Sequence, residues 1–479
     1  MKLPFGVVAS SIDSGGGRAA RPRVVRPAVV RRPSGPRGIG PRKSFLALAW
    51  PSIVENVLLT AMGMVTMMMV GRLGPTAVAG VGAANQVMNL LIVVFGGLAV
   101  GTTSLVARRI GGGDRLSAAS ATIHSLAAGL LLGIVVAVVG VVIAFPGLKL
   151  MGAEEEVARD GGIYLQGVMA TTPLMVIMLI GNGSLRGSGN TRTPMINTAV
   201  ANVVNVLVAY PLIFGVAGLP SLGLVGAAWG VAAARLVGAA MVTRSILAGQ
   251  SGGLWGLLRG FRPDRVILRQ LLAIGGPAAA ESGSIQVGMM IFSLMVISMG
   301  TDAFASQQIV FNVANMSMMP GLAFSVASTT LVGQSLGAGD PDDAERHGWR
   351  GTGLAALWMS VMGAVFVIFP DQIISLYTTD PQVISLGATG LRVIGFGQPM
   401  QGIAFVLAGA LRGAGDTKTT LYVGTASMWL SRLPIAYLLG LLAGLGVFGI
   451  WLAWAADWLI RSCLYAWKFR QGAWKTIRI

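Results

Sequence analysis

The chain has 479 residues, of which 54% are hydrophobic and only 11% charged, with a mean hydropathy of +0.73. That balance excludes a string of soluble domains and predicts an all-α, polytopic membrane protein. The formal net charge of +17 reads as a topology signal rather than a nucleic-acid footprint, because the basic residues collect in the tails and in alternate connections. A single cysteine, Cys463, excludes an internal disulfide and is expected to be a packing residue, while His124 and His347 are too few for a Cys/His zinc site.

Residues 1–44 form a basic tail, with ten Lys/Arg against one acid, Asp13, up to residue 43, and the composition predicts disorder. Anionic lipid is one partner for such a tract, and a transit peptide or an upstream mis-assigned start would give the same composition. Twelve apolar spans follow. The first six are expected at 45–71, 78–105, 118–145, 160–183, 192–216 and 224–247, making an N-lobe over 45–247. The connector 248–270 carries Arg259, Arg262, Arg265 and Arg269. The second six spans, 271–298, 304–332, 350–370, 386–409, 419–442 and 446–467, make a C-lobe over 271–468 before a tail at 469–479. With both termini inside, 29 of the 35 Lys/Arg lie in the tails, inner loops and adjoining span ends, and the outer loops hold Arg72, Lys149 and Arg159 only. The positive-inside rule therefore predicts cytoplasmic termini in a prokaryotic inner membrane.

The two halves repeat each other at an offset of 226. Pro51 and Glu55 match Pro277 and Glu281; Gly111 and Asp114 match Gly337 and Asp340; Leu-Arg-Gly at 185–187 matches Leu-Arg-Gly at 411–413; Thr191 matches Thr417. Six spans per half make the repeats parallel, related by a pseudo-twofold along the membrane normal, with a substrate site expected between them. Each proline is expected in or near the first turn of its span, where a missing donor is tolerable. The Gly-rich turns ending at Asp114 and Asp340 follow no strand and carry no Lys-Ser/Thr, so no ATP-driven engine is expected from them. No metal cluster, nucleophile triad or cofactor loop points to an enzyme, and no cofactor is expected.

Glu281 and Glu55 are the leading candidates for ion coupling and substrate binding, since a carboxylate inside a span costs roughly 2.5–3.5 kcal/mol unless it faces protein or water. Arg432 is a structural partner on offer for Glu281, and Arg235 with Asp457 is a second expected ion pair, each near the middle of the sixth span of its half. The Leu-Arg-Gly turns are expected to cap helices and obey charge topology. Met64, Met67, Met68, Met289 and Met290 share the acid-bearing spans and could line an adaptable drug cleft.

Val70-Gly-Arg-Leu-Gly74, the Gly-Ala-Gly-Asp340 turn, Leu-Arg-Gly-Ser-Gly-Asn190 and Leu-Arg-Gly-Ala-Gly-Asp416 together resemble the multidrug and toxic compound extrusion (MATE) transporters over residues 45–468. The resemblance implies two six-helix lobes around a central cleft and export of organic cations or amphipathic xenobiotics in exchange for H⁺ or Na⁺. Where many relatives have a Val-Asp pair this chain has Val65-Thr66; with Asn205 as the matching asparagine a second family aspartate falls at Ala209, and a tenth-span acid of some members falls at Gln401. Glu55, Thr66, Asn202 and Asn205 remain as oxygen donors for a Na⁺ ion near Glu55. A lipid-linked precursor flippase of the wider superfamily is the alternative, and a monomer in the lipid bilayer is expected.

Overall fold

The computed structural model describes residues 44–477 apart from 151, 153, 219 and 250–261. The basic tail through residue 43 and most of the connector, Arg259 included, lie outside the described residues. The first half comprises α1 (Phe45–Gly71), α2 (Pro75–Gly111), α3 (Arg115–Leu150), α4 (Glu155–Ala170), α5 (Thr172–Gly187), α6 (Arg192–Phe214) and α7 (Leu224–Gly249). The second comprises α8 (Arg265–Ile297), α9 (Thr301–Gly337), α10 (Pro341–Ile368), the short α11 (Pro370–Ser375), α12 (Pro381–Gly413), α13 (Thr417–Ser427), α14 (Leu433–Ala436) and α15 (Gly446–Gln471). Among the described residues eleven helices are long and apolar enough to cross a membrane, with Thr417–Leu442 (α13, α14 and the π turns around them) counted as one, and α4 with α5, bent by 51°, makes a twelfth if the pair is one span. Among the described residues there is no strand.

The repeat is visible in the helix ends: α2 and α9 begin at Pro75 and Thr301 and end at Gly111 and Gly337, all at the offset of 226. The connections repeat as well. Gly113 and Gly339 take φ of +80° and +75°, a left-handed conformation that suits glycine. The next residues, Asp114 and Asp340, accept hydrogen bonds from the backbone N–H groups of Ser117 and Asp343, both at 2.9 Å, so these Gly-rich turns start helices. Asn190 and Asp416 receive the N–H of Thr193 and Thr419 in the same way.

Most helices run a turn or more past the apolar stretch that defines the span, since polar helix ends outside the hydrocarbon still complete their backbone bonds internally. Pro277 consequently stands about three turns inside α8 rather than in its first turn. Span four differs from expectation by breaking at Thr171. Cys463 is exposed on α15 rather than packed, and residues 469–477 of the expected tail are docked. There Trp474 stacks on Phe469 with centroids 4.5 Å apart, Lys475 meets Glu345 at 2.6 Å, and Arg108 of α2 donates to the carbonyl of Ile477.

Each lobe has its own apolar core, one built around Val81, Leu148 and Ile213, the other around Phe292, Leu407 and Trp451. Two further clusters join the lobes by exchange. Phe45, Leu48 and Ala49 of α1 pack on Phe324, Ala327 and Leu331 of α9, while Ile267, Leu271 and Ile274 of α8 pack on Leu98 and Leu105 of α2. Both clusters lie toward the end that carries the Leu-Arg-Gly turns, where α2 and α9 cross. A Cβ on Gly111 would fall 2.0 Å from the Gln334 carbonyl oxygen, and one on Gly337 would fall 2.0 Å from that of Arg108. Only glycine permits that approach, and the pseudo-twofold puts one on each helix.

Candidate functional site

Glu55 and Glu281 are 2% and 3% exposed, and each is met by an arginine from its own lobe. Arg186 Nη2 donates to Glu55 Oε1 at 3.3 Å, and Arg412 Nη2 donates to Glu281 Oε1 at 2.8 Å. The partners are the arginines of the two Leu-Arg-Gly turns. They therefore supply counter-ions to the repeated acids, a role beyond the capping and topology expected of them. Arg432 is not the partner of Glu281. The signal was present in the sequence, since Glu55 to Arg186 and Glu281 to Arg412 span the same 131 residues.

The same two arginines are tied to the opposite lobe through their backbone. Thr330 of α9 donates to the Arg186 carbonyl at 3.0 Å, and Ser104 of α2, its equivalent by 226, donates to the Arg412 carbonyl at 2.7 Å. Gln334 Nε2 reaches the Gly187 carbonyl at 2.9 Å and Arg108 Nη1 the Ala414 carbonyl at 3.0 Å. One turn thus holds the acid of its own lobe by a side chain and a helix of the other lobe by a carbonyl.

Beyond these pairs the lobes diverge. In the N-lobe, Thr66 Oγ1 lies 3.3 Å from Asn205 Oδ1, and Asn202 Nδ2 donates to the Leu58 carbonyl at 2.6 Å. Thr66 is eleven residues from Glu55, about 16 Å along α1, so Glu55 does not join Thr66, Asn202 and Asn205 in one ion cage. Asn202 and Asn205 line a mainly apolar hollow of about 370 Å³ with Ala61, Met62 and Val65. In the C-lobe, Glu281, Arg412, Arg432, Arg461, Trp458 and Gln401 are among the walls of a cavity of about 500 Å³. Gln401 is fully buried there, with both side-chain polar atoms unpartnered among the described residues.

Asp457 does not pair with Arg235. It sits between Arg432, at 2.5 Å, and Arg461, at 3.2 Å, and accepts from Ser427. Arg235 instead donates to the Val168 carbonyl at 2.7 Å and Thr171 Oγ1 at 2.9 Å, at the break between α4 and α5 that precedes Pro173. A carbonyl opened by a broken helix needs a donor, and Arg235 provides a charged one beside the Thr171 hydroxyl, which also donates to it at 2.9 Å. Middle-of-span position had suggested the Arg235–Asp457 pair, but the two belong to different lobes, each with a local partner. Arg461 was missed although it lies at i+4 from Asp457 on one helix face. Arg432 is delivered by a π turn, Met428–Arg432, between α13 and α14. Of the five methionines proposed for the cleft, Met289 lines the C-lobe cavity, whereas Met64, Met68 and Met290 are exposed.

A family model described as MatE matches residues 51–211 and 277–438, two segments that start 226 residues apart. The chain is 32% identical over 443 residues to a probable multidrug resistance protein NorM of Thermotoga maritima, covering 91% of this chain and 93% of that protein. It is 28% identical over 408 residues to the multidrug resistance protein PmpM of Pseudomonas aeruginosa, covering 83% and 84%. Among solved structures, an outward-facing multidrug resistance MATE transporter of the MOP superfamily superposes with a TM-score of 0.83 at 22% identity, covering 90% of this chain and 96% of that one. A MOP superfamily transporter from Pyrococcus furiosus, described as having a binding pocket of reverse polarity, also superposes with a TM-score of 0.83 at 22% identity, covering 89% and 94%. With both repeats matched by the family model and a relative above 30% identity along nearly its whole length, the chain belongs to the multidrug and toxic compound extrusion (MATE) family of membrane transporters.

Proposed function

We propose that this chain is a secondary active multidrug exporter of the cell membrane, exchanging cytoplasmic organic cations or amphipathic xenobiotics for external H⁺ or Na⁺ by alternating access. The observation that carries the reading is the double attachment of Arg186 and Arg412, each bound to a repeated buried acid by its side chain and to the other lobe by its carbonyl. An ion that neutralises Glu281 removes the counter-charge of Arg412. The turn bearing Arg412 then loses an anchor, its bond from Ser104 weakens, and the joined end of the lobes is freed to open. The mirror sequence runs through Glu55, Arg186 and Thr330. Concentration of arginines at this end supports its being cytoplasmic, with both termini inside. Inward movement of one elementary charge then supplies roughly 2.3 kcal/mol per 100 mV.

The test is reconstitution in liposomes, following a fluorescent organic cation under an imposed proton gradient and then a sodium gradient. Native protein is expected to respond to one of them, and Glu281→Gln to lose gradient-driven transport at least tenfold, with Glu55→Gln losing less. Unaltered pumping by Glu281→Gln would sink this coupling scheme. The flippase reading is favoured by one observation, the three arginines on the C-lobe cavity wall. Lipid-linked precursors are the substrates to try if no cation moves.

A further inference from the structure

The C-lobe cavity holds more positive charge than its acids neutralise. Three guanidiniums, Arg412, Arg432 and Arg461, face two carboxylates, Glu281 and Asp457, which leaves an excess of one positive charge. The excess falls on Arg461. Glu281 serves Arg412 at 2.8 Å and Asp457 holds Arg432 at 2.5 Å, whereas Arg461 reaches Asp457 only at 3.2 and 3.3 Å and the Gly424 carbonyl at 3.4 Å. Charge-assisted N–H···O bonds are normally about 2.7–2.9 Å, so Arg461 is loosely held. Its residue is 5% exposed, and its Nε has no partner among the described residues, as is also true of Nε on Arg432 and Arg412. A guanidinium in such a place is costly unless another acceptor reaches it.

What surrounds Arg461 fixes the rest of the ligand. On α15 the residues Trp454, Trp458, Arg461 and Tyr465 recur at intervals of four, three and four, so all line one face of the helix. The Arg461 guanidinium carbon lies 4.8 Å from the centre of the Trp458 ring, and Phe311 and Phe405 extend the aromatic wall. The cavity volume of about 500 Å³ is in the range that encloses a drug-sized molecule.

We infer that this cavity binds an amphiphile with an aromatic or aliphatic body and a single oxyanion head, carboxylate, sulfonate or phosphate, seated on Arg461. The inference deepens the export reading by naming a substrate class for the C-lobe, and it does not require the coupling scheme. Free Nε–H groups of Arg461 and Arg432 donate to the head, and Trp454 and Trp458 cover the body. Gly424 lets α13 lie close against Glu281, since a Cβ there would come within 3.1 Å of the Glu281 side chain.

Three naphthalene probes with the same body and different heads test it: a sulfonate, a neutral sulfonamide and a methylammonium. Binding to the full chain in phosphatidylcholine nanodiscs is measured by calorimetry. The sulfonate is expected to bind saturably and at least tenfold more tightly than the ammonium, with the sulfonamide between them. Arg461→Gln should weaken the sulfonate about tenfold and leave the sulfonamide unchanged, and Arg461→Lys should restore part of the loss. Equal or tighter binding of the ammonium overturns the proposal, and that comparison on native protein needs no variant to fold. Adding phosphatidylglycerol separates two sources of the head: loss of sulfonate binding assigns it to a bilayer lipid, and undisturbed binding to a soluble compound. Sulfonate binding without gradient-driven cation export would retain this inference and remove the antiport reading. Export with ammonium-selective binding would do the reverse.

Discussion

The two lobes carry the same acid–arginine pair on the same frame, yet they treat the other arginines within their spans differently. In the N-lobe, Arg235 meets neutral acceptors among the described residues, the Val168 carbonyl, the Thr171 hydroxyl and the Met175 sulfur, at a broken span. In the C-lobe, Arg432 and Arg461 share one carboxylate beside a cavity. Setting Gly223 on Gly446, where the sequences realign after the repeat slips, puts Asp457 opposite Ala234 and Arg461 opposite Gly238. In the scheme proposed above, the shared pair serves the machinery that moves the lobes, and the unshared triad serves what one lobe holds.

The largest expected effect comes from breaking the triad. Asp457→Asn leaves Arg432 and Arg461 facing each other without a full counter-charge, and about 3–5 kcal/mol of stability should be lost, read as a lowered unfolding midpoint in detergent. Combining Arg432→Met, Asp457→Leu and Arg461→Met should recover most of it, because an apolar wall needs no counter-charge. A smaller loss is expected in the other lobe. Arg235→Met removes the charged donor to Val168, leaving the Thr171 hydroxyl, and should cost about 1–3 kcal/mol in the same assay. An unchanged midpoint would mean that the break at Thr171 supports itself. The smallest effect sharpens the likeness of the lobes rather than their difference. Ser104→Ala and Thr330→Ala each remove one cross-lobe bond, worth about 0.5–1.5 kcal/mol. Spin labels across the joined end should report similar increases in the open population for the two, and a large inequality would break the pseudo-twofold description.

Much of this frame could be read from the residues alone, because a parallel repeat at 226 leaves marks in glycines, prolines and acids that no single span would reveal. Helix existence followed from hydropathy, and span one is found over the expected residues. The break at Thr171 was not legible. Pro173 and its equivalent Pro399 occupy matching places, but α12 runs through Pro399 unbroken, so the proline alone does not decide the outcome. Partner choice was the other failure. Position within a span suggested Arg235 with Asp457 and Arg432 with Glu281, whereas the partners are set by which helices touch. The 131-residue spacing of both acid–arginine pairs, and the i+4 spacing of Asp457 and Arg461, carried that information in plain sight.

The docked segment after α15 joins the C-lobe to α2 of the N-lobe, through Trp474 on Phe469 and the Arg108 guanidinium on the Ile477 carbonyl. Any rocking that separates α2 from the Leu-Arg-Gly end must also pull this strap loose. Under the alternating access proposed above, its attachment would indicate which way the transporter faces, readable as cleavage of the released segment in one half of the cycle and protection in the other.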